Sequence, residues 1–103
     1  MQPITCNLNG IPAEERELHG QRWQQLMETR TNLAVHGEGY ALTFPIHNET
    51  LALLMRVVAN ERLCCPFLHF TIEIASASED MILTLTGPEG TKALLEHELG
   101  LLA

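Results

Sequence analysis

Apolar residues recur along the chain at two different periods, and the changes of period divide it into a short series of elements. Ile4, Cys6 and Leu8 alternate with polar neighbours, which predicts a short strand before the breakers Gly10 and Pro12. Pro12, with Glu14 and Glu15 behind it, suits a helix start: proline fits the first turn, and carboxylates oppose the positive end of the helix dipole. That helix is expected to run to about Thr29, with a thin apolar stripe of Leu18, Trp23, Leu26 and Met27, His19 beside it, and much of its surface exposed. Leu33 to His36 and Tyr40 to Pro45 then read as two strands joined through Gly37-Glu38-Gly39, a hairpin connection.

The second half repeats this layout with stronger signals. Asn48 is a good helix cap, and from there Leu51, Leu54, Met55, Val58 and Leu63 follow helical spacing, widened by Leu53 and Val57. Pro66 disfavours α geometry at Cys65, so this most apolar helix should end near Cys64. Residues 69–75 alternate, with Phe70, Ile72 and Ile74 on one face. Residues 81–86 alternate too, with Met81, Leu83 and Leu85 inward, and the turn between the two falls in residues 76–80. Gly87-Pro88-Glu89-Gly90 opens a last helix to about Leu99, packing through Leu94, Leu95, Leu99 and Leu102.

The order (β)-α-β-β-α-β-β-α predicts a single α+β domain over residues 1–103. Its sheet should be mainly antiparallel, of four or five strands, with helices on one face. The strands' polar positions make the other face less apolar, open either to water or to a second copy in a homodimer.

Composition narrows the function classes. The 103 residues carry a net charge of −7, with only six Lys and Arg, which speaks against nucleic-acid binding and against docking on anionic lipid. No stretch approaches the roughly 20 apolar residues of a membrane span, and the first residues are neither basic nor a long apolar run. The expected compartment is the cytoplasm, where the three cysteines should be reduced and a disulfide framework is not expected.

Under those conditions Cys64-Cys65 is the unusual feature. A disulfide between neighbours strains the peptide that joins them, because bridged cysteines prefer Cα atoms about 5.5 Å apart. A soft ion bridges two adjacent thiolates with less strain, and Zn(II), Cu(I), Hg(II) and trivalent arsenic are of that kind. The pair should also lie at a helix C-terminus, where the dipole and the nearby Glu61 oppose thiolate formation. That field disfavours a spontaneously ionised nucleophile and suits a site where an arriving cation displaces the proton. Glu61, three and four residues before the cysteines, is an oxygen ligand, a proton acceptor or an ordinary exposed residue. His69 is either a ligand or a solvent-facing residue; His36 and His47 are weaker candidates. Cys6 is either a small core residue or a third thiolate. The two cysteines could also be plain packing beside Phe67 and Phe70, and no Cys-x-x-Cys pair or zinc-spaced histidine cluster accompanies them.

The run Glu61-x-x-Cys64-Cys65-Pro66-Phe67-x-x-Phe70, followed by Leu83-x-Leu85-Thr86-Gly87-Pro88-Glu89-Gly90, resembles a group of small bacterial proteins with a Cys-Cys-Pro-Phe motif. Similar segments accompany regulators of the mercury-responsive type. The resemblance implies a bacterial cytoplasmic domain with a metal or thiol role and carries over no activity. Three functions therefore compete: a soft-metal binding or sensing domain with Cys64 and Cys65 completed by Glu61, His69 or Cys6; a thiol-redox enzyme; and an interaction or assembly module with structural cysteines.

Overall fold

The computed structural model describes residues 4–101. Helix α1 spans Arg16–Thr29 and leads into strands β1 (Asn32–Val35) and β2 (Tyr40–Pro45). Helix α2 spans Asn48–Cys64, strands β3 (His69–Ile74) and β4 (Asp80–Thr86) follow, and helix α3 (Thr91–Leu99) closes the series. The four strands form one sheet in the order β1-β2-β4-β3, every neighbouring pair antiparallel. The α+β class and the helix-hairpin alternation are as predicted.

The strand expected at Ile4–Leu8 does not form. Asn7 instead uses its side chain to accept from the Asn9 amide, and a 3-10 turn follows at Leu8–Gly10. The Asn7 amide is taken by the Cys64 carbonyl at 2.8 Å, so this segment lies across the end of α2 rather than along a sheet edge. A local side-chain bond and a tertiary backbone bond here outweigh a weak alternating pattern.

The two central strands supply most of the core. Tyr40, Leu42 and Phe44 face across from Leu85, Leu83 and Met81, and all six are fully buried. At roughly 1.5–3 kcal/mol for each large apolar side chain buried, this layer dominates the favourable energy of the sheet. Trp23 and Leu26 of α1, Leu54 and Val57 of α2 and Leu95 of α3 pack into the same core. The alternate residues, such as Thr43, Ile82 and Thr84, are only half-buried, as a sheet with helices on one side requires. Leu102 lies outside the described residues.

The buried stripe of α2 is rotated from its expected position. Met55 and Leu63 are substantially exposed, whereas Leu54, Val57, Asn60, Glu61 and Cys64 are buried. Positions 54, 57, 61 and 64 are also helically spaced, so the helix turns Glu61 into the protein. In α1, Leu18 is exposed and His19, Trp23 and Leu26 form the buried face. Asn48 is the first helical residue of α2 rather than its cap, a position held by His47.

Candidate metal centre

The site grows from the C-terminal turn of α2. Cys64 is the last helical residue and Cys65 the cap, whose amide still reaches the Glu61 carbonyl at 2.7 Å. Pro66 follows and lets the chain turn away toward β3, with Phe67 and Leu68 buried beneath. One turn earlier stands Glu61, only 4% exposed. A carboxylate so deep is tolerated only with hydrogen-bond donors around it. Two come from consecutive turns of α1: His19 Nε2 lies 2.8 Å and Trp23 Nε1 3.0 Å from the same oxygen, Oε1. The other oxygen, Oε2, is 3.4 Å from Cys65 Sγ, within reach of a thiol proton when that sulfur is reduced. Donation from Nε2 to the carboxylate leaves His19 Nδ1 buried without a partner among the described residues.

The third cysteine arrives by a separate route. The Asn7–Cys64 backbone bond satisfies a carbonyl that the helix end leaves open. Arg16, at the start of α1, donates from Nε to the carbonyls of Leu8 at 3.0 Å and Ile11 at 2.9 Å, holding the segment from the other side. Gly10 then passes so close to the Leu63 carbonyl that a Cβ there would collide with it. These contacts seat Cys6 over the Cys64-Cys65 turn, and the three sulfurs all lie within 4.8 Å of one another.

Cys6 and Cys65 are joined as a disulfide, and Cys64 is a free, buried thiol. The expectation of three reduced cysteines rested on a reducing compartment, and the only bridge weighed was the one between the neighbours Cys64 and Cys65. It did not foresee that the first segment brings a non-neighbouring partner to Cys65. Burial pushes the Cys64 thiol above its ordinary pKa, and the charge of Glu61 adds to this, with a smaller opposing effect from the Asn7 backbone. The direction is the one expected from the sequence, but burial rather than the helix-end field is the main cause, with Glu61 contributing as expected.

Of the candidates named from sequence, Cys6, Cys64, Cys65 and Glu61 come together. His69 does not join them: it is exposed at the start of β3, opposite Thr86. His36 and His47 are exposed and also lie outside the cysteine cluster. Three residues of the site were not singled out for it: His19, Trp23 and Arg16. The four-residue spacing of His19 and Trp23, with both on the buried face of a mostly polar helix, is the signal that points to them.

Comparison with protein-family models, with curated proteins and with solved structures finds no match to this chain.

Proposed function

We propose that the chain is a soft-metal binding domain that, when reduced, holds a thiophilic ion on Cys6, Cys64 and Cys65. The observation that carries this is the convergence of three sulfurs, from two segments far apart in sequence, within 4.8 Å of one another. Thiolates select soft cations, so Zn(II), Cu(I) and Hg(II) are the ions to consider. Coordination expels the thiol protons, and this suits Cys64, whose burial otherwise keeps it neutral. Glu61 supports the site in two ways. Its Oε2 beside Cys65 Sγ is placed to take a proton, and its charge offsets that of an incoming cation. His19 and Trp23 fix that carboxylate from the side away from the sulfurs. Binding would also tie the first segment to the end of α2, which is how occupancy would become a signal.

The test is a titration of reduced protein with each ion, following proton release and thiolate-to-metal absorption. The expected result is one ion per chain with absorption from three sulfurs. Unchanged binding by the Cys64→Ser, Cys65→Ser double variant would end the proposal.

A second reading is favoured by the Cys6–Cys65 bond itself: a dithiol-disulfide enzyme in which Cys64 exchanges with that bond. The raised Cys64 pKa counts against it, since the thiolate is the attacking species. Exchange with a small disulfide substrate, no faster than for a free cysteine, would remove this second reading.

A further inference from the structure

Beside the three sulfurs lies a cavity of about 430 Å³. A bare ion needs far less, since even a water molecule occupies only about 30 Å³. The volume instead falls among those of small-molecule sites, roughly 300–1,000 Å³. Its wall is more apolar than polar: Leu8, Trp23, Met27 and Leu99 line it together with His19, Gln24 and Glu61. Among the described lining residues Arg16 is the one lysine or arginine, with its Nε on the carbonyls of Leu8 and Ile11, and two carboxylates, Glu61 and the exposed Glu98, outnumber it. The cavity thus offers little to an anionic substituent and much to an uncharged apolar one.

We propose that the ligand of this site is a soft atom carrying an apolar organic group, of the type R–As(OH)₂ with R an aryl group, its arsenic on sulfur and R in the cavity. The inference rests on the soft-metal reading of the three cysteines and gives that reading its ligand class. In the binding step two thiols of the reduced cluster each form an As–S bond. Two As–O bonds break, and each thiol proton leaves with a hydroxide as water. Neither sulfur nor arsenic changes oxidation state, and no charge is left in the protein.

The experiment compares phenylarsonous acid, supplied as phenylarsine oxide, with methylarsonous acid on the reduced protein. Both take two thiols, so they differ in the organic group alone. Affinity is read from the emission of Trp23, the one tryptophan of the chain, and referred to a small dithiol in solution. The preference for phenyl over methyl should exceed that of the dithiol by about tenfold, the yield of burying the extra ring surface. The Leu8→Asn, Met27→Gln double variant should keep the methyl affinity and lose most of the preference. Leu8→Asn alone, at a side chain 57% exposed, gives a smaller loss without risk to the fold. A preference equal to that of the small dithiol, or one that neither variant alters, overturns the inference and leaves the three-sulfur site standing. Failure of both arsenicals to bind overturns the inference too, and the ion titration then decides the site: binding of Zn(II), Cu(I) or Hg(II) leaves it standing, and failure of every ion removes it.

Discussion

Replacing Glu61 by alanine tests whether the carboxylate is the hub of the α1–α2 contact. The side chain is buried, and one of its oxygens accepts from both His19 Nε2 and Trp23 Nε1. Alanine leaves both donors inside the protein with no acceptor. Each such orphan costs about 1–3 kcal/mol. Removing one partner from a buried charge-assisted cluster costs about 3–5 kcal/mol in all. Glu61→Gln keeps an acceptor oxygen and nearly the same volume, so it should cost only about 1–2 kcal/mol, through loss of the charge-assisted character. Urea unfolding under reducing conditions, followed by Trp23 emission, reads the difference. With a slope of about 2 kcal/mol per molar for a small domain, alanine should lower the midpoint by about 1.5–2.5 M and glutamine by about 0.5–1 M. A midpoint for Glu61→Ala within about 0.3 M of the parent would refute the hub role. So would a glutamine variant as damaged as the alanine one, since the loss would then owe nothing to the acceptor oxygen.

Gly10→Ala places a methyl against the Leu63 carbonyl and should unseat Cys6 from the cluster at a cost of about 1–3 kcal/mol; soft-metal affinity should fall while the far-ultraviolet circular dichroism spectrum stays unchanged. His69→Gln, on an exposed strand position away from the sulfurs, should leave metal affinity within twofold of the parent by the same titration. Because the Cys64 pKa is raised on folding, the folded state holds this proton more tightly than the unfolded one. The associated stability is fully present below the unfolded thiol's pKa and declines as pH rises from about 8.5 toward the folded value. Urea midpoints of reduced, metal-free protein should therefore fall across that window, and Cys64→Ala should flatten the fall.

The hairpins are legible because their alternation is unmixed, and the helices because their ends are marked even where the apolar stripe is thin or out of phase. Phe70, Ile72 and Ile74, for example, alternate without interruption, and Pro66 and Gly90 mark helix ends by backbone chemistry alone. The first segment was misjudged because its pattern is only five residues long, and its structure is decided by bonds to Cys64 and Arg16 that periodicity does not encode. The phase of α2 failed for a related reason. Hydropathy assigns Met55 and Leu63 inward and Glu61 outward, whereas the donors on α1 make Glu61 a buried residue. The thiol pair and its neighbouring carboxylate were therefore readable as residues in a motif. Their third sulfur and their supporting imidazole and indole were not, because those depend on which helix faces which.

The disulfide takes two of the three sulfurs of the proposed metal site, so each excludes the other, and this gives a stability order that can be measured. A covalent link across 59 sequence positions stabilises by about 4 kcal/mol if it acts through the entropy of the unfolded chain. Reduction removes that link and leaves the first segment held by the Asn7–Cys64 bond and the Arg16 contacts. An ion shared by Cys6 with Cys64 and Cys65 closes the same loop again. Its selective binding to the folded state, at about a thousand times its dissociation constant, contributes about 4 kcal/mol in all. Oxidised and metal-loaded protein should therefore both unfold at higher urea than reduced, metal-free protein. Cys6→Ser should abolish the oxidised gain altogether and shrink the metal gain, because two neighbouring sulfurs close no loop. If the ion stabilised Cys6→Ser as much as the parent, Cys6 would not be a ligand, and the site would reduce to the neighbouring pair on α2.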